Sequence, residues 1–267
     1  MITRRKYLEK VSMQNTTNTG LWLDKFIKDQ EKATQDKENA KTTLVKEVAR
    51  IPVSEAYKEF YKRWKKTLEQ MQMPEGVETK MYIAKVLGRM AVGLGSGSVL
   101  ETSIKLHHTY GVPYIPGSAL KGLTASYATQ YLGNDWKKNT PPAYYETLFG
   151  FSNEEGKEQA AGYVTFFDAL YIPGKDQPLH PDIITVHHPE YYKNESEKAP
   201  TDWDETNPIP FLSATGKYLL VLSGPPNWVD TAFKILRLAL KEMGVGAKTS
   251  SGYGLMEAQP IEQISRN

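Results

Sequence analysis

The chain has 267 residues, 40% of them hydrophobic and 24% charged, with a formal net charge of +2. This suits one large globular domain or two small ones and excludes a disordered polyelectrolyte. With no cysteine, disulfides, thiolate metal sites and cysteine nucleophiles are excluded, which fits a reducing, cytoplasmic setting.

The N-terminal MITRRKYLEKVSMQ is basic, but no apolar stretch follows it, so neither a signal peptide nor a membrane span is expected. TGLWLDKFI then gathers Leu21, Trp22, Leu23, Phe26 and Ile27 in an amphipathic segment, and the mixed charges of KDQEKATQDKENAKTTLVKEVAR read as a solvated helix. Pro52 and Ser54 open the next helix, in which Tyr57, Phe60, Tyr61, Trp64, Leu68 and Met71 recur at helical spacing as core positions. Residues 1–75 therefore form a helical N-terminal extension.

From Tyr82 the pattern changes. YIAKVLGRMAV reads as a strand, GLGSGS as a loop and TSIKLHHTYG as an extended piece ending in a turn. In PYIPGSALKGLTASYATQYLG, Ser118 is expected to cap a helix that Gly133 closes. GYVTFFDALYI and DIITVHH are strands by their β-branched and aromatic content. The proline-punctuated, acidic PEYYKNESEKAPTDWDETNPIP is an inserted loop, around residues 189–210. GKYLLVLSG is a strand, and Pro225, Pro226 and Asn227 introduce a helix with Asp230 in its first turn and Gly244 at its end. YGLMEA is a short final strand. The order from Tyr82 is strand, helix, strands, helix, strand. It fits a split β-α-β, ferredoxin-like plan with helices on one face of an antiparallel sheet and the other face free.

The densest chemistry lies in GVGAKTSSGYG, Gly244 to Gly254, which holds four glycines, a lysine, a threonine and two serines. It is not a P-loop, because Ala247 intervenes before Lys248 and the loop runs from helix to strand. It is not a dinucleotide fingerprint either, since Thr249 stands at the third glycine. Glycines that let backbone N–H groups approach phosphate, beside Lys248, Thr249, Ser250 and Ser251, suit a polyanion backbone; a plain glycine-capped connection is the competing reading. PYIPGSALKG offers the same choice between an anion at a helix N-terminus, with Lys121 in the first turn, and an ordinary helix start. The histidines pair as His107–His108 and His187–His188, with His180 alone. Neighbours in a strand point to opposite faces, which disfavours a metal site.

PYIPGSALKG followed far downstream by GVGAKTSSGYG resembles the paired motifs of the RAMP superfamily, the repeat-associated RNA-binding proteins of CRISPR systems. NTGLWLDKF, and ITVHHPEYY joined through the acidic loop to PIPFLSA, are similar to the sixth-subunit family of the Cmr, type III-B, effector complex. The resemblance covers nearly the whole chain except residues 28–50. It implies an α+β fold: a ferredoxin-like, RRM-related RAMP domain with an antiparallel sheet over residues 76–267. It also implies an RNA-binding subunit of an RNA-guided RNA-targeting complex, held by guide RNA toward its 3′ end and by other RAMP subunits, with target RNA as a further partner. No cofactor and no membrane partner are implied. The RNA contacts it implies are Gly117, Ser118 and Lys121 in the first motif and Gly246, Lys248, Thr249, Ser250 and Gly252 in the second, with the two segments brought together at one sheet. In the repeated subunit of such complexes an aspartate after the first strand cuts RNA. Here VLGRMAVGLGSGSVLETSIKLHH has Glu101 as its only carboxylate, which implies a non-catalytic subunit. The enzyme alternative is a stand-alone, metal-independent CRISPR RNA-processing endoribonuclease using His107, His108 or His187. A third reading is an adaptor whose Glu190, Glu195, Glu197, Asp202, Asp204 and Glu205 dock a basic partner.

Overall fold

The structure is a computed structural model that describes residues 8, 10–27, 40–98, 100–138, 143–152, 158–186 and 207–261. His187, His188 and the acidic run of the insertion lie outside the described residues. Before the first strand stand α1 (Thr19–Lys25), α2 (Ala40–Ala49) and α3 (Glu55–Gln70). Asn18 caps α1 and Ser54 caps α3, each side chain accepting from the amide three residues on. α3 buries Tyr57, Tyr61 and Leu68, so its aromatic stripe is core, as its spacing predicts. The expectation of a solvated helix fails for α2. Leu44, Val45 and Val48 are buried, and α2 packs on a strand pair described below; its apolar positions outweigh its scattered charge.

The central sheet is built from β1 (Glu78–Val86), β2 (Tyr114–Ile115), β5 (Thr165–Phe166), β6 (Ala169–Tyr171), β9 (Lys217–Gly224) and β10 (Met256–Pro260). Its order is β10-β1-β9-β6-β2, all antiparallel, with β5 also on β9. Two helices complete the plan: α4 (Gly117–Tyr131) before β5 and β6, and α6 (Pro226–Glu242) between β9 and β10. With β5 and β6 taken as one interrupted strand, the core order is fourth, first, third, second, which is the ferredoxin-like arrangement. The interruption is a bulge: Phe166 pairs with Leu222 and Leu170 with Leu219, one residue too many on the first side.

α6 lies on one face, where Phe233 stacks on Tyr82 at 3.9 Å. The opposite face is not free as the bare plan would have it. Tyr82 pairs with Leu220, so Leu219 and Val221 point away from α6, yet they are 1% and 0% exposed. They join one continuous core with residues of the N-terminal helices. The Tyr57 hydroxyl donates to the Tyr171 carbonyl at 2.6 Å, and the Trp64 ring sits 6.1 Å from Phe167. Apolar residues alternating on both faces of β9 demanded a second layer.

Outside the sheet, α5 (Tyr144–Phe149) leads into the hairpin β3 (Gly150–Ser152) and β4 (Gln159–Ala161), while β7 (Leu179–Val186) pairs with β8 (Asn207–Ala214) along their whole length. Asn207 to Pro210, expected in the inserted loop, is thus the start of a strand. Pro208 and Pro210 lower strand propensity, but in a two-stranded pair each strand keeps an open edge where a missing N–H is tolerated. Asp230 lies beyond the first turn of α6 rather than within it and forms an ion pair with Lys80 at 2.5 Å. The His107–Tyr110 stretch is a turn carrying only an isolated Leu106–Pro113 bridge.

Candidate nucleic-acid interface

α4 begins at Gly117 with Pro116 as its cap residue, and no side chain caps it. Ser118 is therefore an exposed first-turn residue, not the cap. The capping work falls to Asp168, whose carboxylate accepts the Gly117 N–H at 2.8 Å from the bulge between β5 and β6. A Cβ on Gly117 would lie 2.1 Å from the Phe166 carbonyl oxygen, so the glycine lets the helix start press directly onto the sheet. Gly117 is buried with its amide engaged, and its visible role is packing. Asp168→Ala should lower stability by about 1–2 kcal/mol through loss of this charge-assisted bond, read as a drop in the urea midpoint at unchanged slope.

The glycine loop divides in the same way. Gly244, at φ 75, closes α6. The Gly254 N–H donates to Arg89 at 2.7 Å, Ala247 to Ala91 at 2.8 Å and Val245 to Gly254 at 2.9 Å, which sews the loop to the segment after β1. Added Cβ atoms would lie 2.4 Å from the Ala91 oxygen at Gly246 and 2.0 Å from the Val245 oxygen at Gly254. These glycines are needed for backbone contact within the chain. Gly252, at φ 85, meets nothing within 4 Å; only its conformation calls for glycine.

Between these anchors the loop turns through Lys248, a non-glycine residue at φ 58, into a 3-10 turn over Thr249–Ser251. The amides of Ser251, Gly252 and Tyr253 are bonded within the turn. Those of Gly246, Lys248, Thr249 and Ser250 have no partner among the described residues. Successive free amides beside a left-handed residue form a concavity suited to an anion, and Lys248 makes no ion pair among the described residues. On the other flank of the loop, the Tyr253 hydroxyl donates to Asp182 of β7 at 2.7 Å. Burial, with that carboxylate, pushes the phenol up to about 12.

α4 stands between two grooves. One of about 650 Å³ runs between Ala119, Leu123 and Ser126 of α4 and the loop, with Thr249 and Ser250 on its rim. The other, of about 610 Å³, lies on the far side of α4, with Ser118 and Lys121 facing Tyr145 and Phe151. The two motifs thus meet along one helix, the loop through the expected Gly246, Thr249 and Ser250 but α4 through Ala119, Leu123 and Ser126; Ser118 and Lys121 look away from the loop. Asp168, Lys138, Tyr145 and Phe151 were missed from the sequence. The one available signal was Asp168, a lone acid inside the apolar TFFDALYI.

The His107 ring packs 5.5 Å from Phe60, 5.0 Å from Tyr110 and 6.2 Å from Tyr114. Burial lowers its pKa, partly opposed by Asp168. His180 is held by Thr215 at 3.0 Å and is lowered by burial and by Arg89. Among the described residues no three His, Asp or Glu are grouped to hold a metal, and no helix is long and apolar enough to cross a membrane.

Residues 83–257 match the model of the RAMP superfamily. Among curated relatives, the CRISPR system Cmr subunit Cmr6 of Pyrococcus furiosus is 32% identical over 252 residues, covering 75% of this chain and 72% of that protein. The Cmr6 subunit of Saccharolobus solfataricus is 25% identical over 257 residues, covering 90% and 79%. The fold is similar to a chain in the cryo-EM structure of the type III-B Cmr-beta bound to cognate target RNA, with a TM-score of 0.63 at 22% identity, over 82% of this chain and 71% of that one. The ferredoxin-like sheet, the motif pair on α4 and the glycine loop, and the extent of these matches lead to one assignment: the chain belongs to the RAMP superfamily, among the Cmr6 subunits of type III-B CRISPR systems.

Proposed function

We propose that the chain is a non-catalytic RNA-binding subunit of the RNA-guided type III-B complex, holding guide RNA toward its 3′ end and packing against other RAMP subunits. The observation that carries this reading is the set of amides at Gly246, Lys248, Thr249 and Ser250, which have no partner among the described residues, around Lys248, which makes no ion pair among them. Such a set binds phosphate oxygens without reading bases. Ser118 and Lys121 extend the contact along α4, while Gly117, Gly246 and Gly252 supply shape. Target RNA is reached through the guide. The described residues of the N-terminal extension, up to residue 75, cover the sheet and leave its loop rim to RNA.

The test is incubation of the purified chain with end-labelled guide RNA and with CRISPR repeat RNA, resolved on native and on denaturing gels. Retarded guide RNA of unchanged length is the expected result. Site-specific cutting of the repeat would replace this reading with the endoribonuclease, and the absence of salt-sensitive retardation would leave the protein-docking adaptor.

A further inference from the structure

We infer that the groove between α4 and the β3–β4 hairpin takes one unpaired base of a single-stranded RNA, stacked on Phe151, with its phosphates held by Lys121 and Lys138. The inference rests on the RNA-binding reading above and adds a second contact, separated from the glycine loop by the width of α4.

Size, chemistry and an otherwise unexplained glycine lead to it. The groove encloses about 610 Å³, within the range of pockets that hold ligands of nucleotide size. Phe151 presents its ring to water at 45% exposure on a strand whose register partner is the small Ala160. The Lys138 ammonium lies 5.6 Å from the centre of the Tyr145 ring. Aromatic faces beside lysines are the combination that binds single strands, each ring stacking a base while the cations follow the backbone. Glu146 also lines the groove, with its Oε2 buried, and its negative charge keeps phosphate away from that end.

Gly122 fits the same occupant. It sits inside α4 with no positive φ, and a Cβ there would meet nothing within 4 Å. Glycine in a helix interior is less stable than alanine, and no contact among the described residues calls for it. It lines the groove, where bare backbone lets a flat ring approach.

The experiment uses the full chain and a short single-stranded RNA carrying 2-aminopurine at one position at a time, with fluorescence and affinity read together. One position should be quenched by stacking. Phe151→Ala should restore its fluorescence and weaken binding about fivefold or more, with an unchanged thermal midpoint. Gly122→Leu, which fills the groove with a better helix former, should remove the quench while raising the midpoint. If wild-type protein binds the RNA but no position responds, or if both variants keep quench and affinity, the groove is not a base site and the glycine-loop reading stands. If wild-type protein binds no RNA, both fall.

Discussion

Replacing Lys248 with glycine is expected to weaken RNA binding severalfold, with no preference for sequence, while leaving the fold at least as stable. One phosphate contact removed from a single strand should reduce the slope of log affinity against log salt by about 0.7. Lys248 sits at φ 58, where an L-residue is strained by about 1–2 kcal/mol. Glycine relieves that strain, so a loss of binding cannot be blamed on a damaged loop. Lys248→Ala removes the same charge and keeps the strain. Both variants should show the same change in salt slope, while the glycine variant has the higher thermal midpoint. A salt slope identical to wild type in both would take Lys248 out of the RNA contact, whatever happened to affinity.

Gly254→Ala should be the most damaging single change in the loop. The new methyl would start 2.0 Å from the Val245 carbonyl oxygen at a residue held at φ 76, and the Gly254 amide and carbonyl are both used, to Arg89 and from Val245. Overpacking and left-handed strain together come to about 2–5 kcal/mol, enough to unseat the loop from the end of β1. Gly252→Ala is the matched control. At φ 85 with no atom within 4 Å of its Cβ position, it should cost only about 1–2 kcal/mol. Chemical denaturation of the two variants reads the difference, and equal losses would mean that the loop moves freely away from Val245. RNA affinity should follow stability at Gly254, because a loop that has left β1 no longer presents its free amides as a set.

Much of the fold was legible because its signals are local. β9 and α6 announce themselves through an apolar run and a helical period bounded by Pro225 and Gly244. Ser54 and Gly133 end their helices as sequence rules require. The misses have physical causes too. Ser118 looks like a helix cap, but Asp168, fifty-one positions away, accepts the first amide of α4, and no local pattern contains that partner. Pro208 and Pro210 concealed β8, since prolines argue against strands unless an open edge is available. α2 was read by its charges, although Leu44, Val45 and Val48 already carry the spacing of a buried face.

By itself the sequence determined the family, through four motifs in order. It also determined the alternation of strands and helices that makes an antiparallel α+β sheet, because both are written in residues close together along the chain. Only the tertiary structure decided what the glycines are for. A glycine required by a close approach depends on which backbone lies opposite, and for Gly246 that backbone is Ala91, for Gly117 it is Phe166. It also decided that Lys121 faces the β3–β4 hairpin rather than Lys248. The direction of a side chain around α4 means nothing until the sheet and the neighbouring helix are in place.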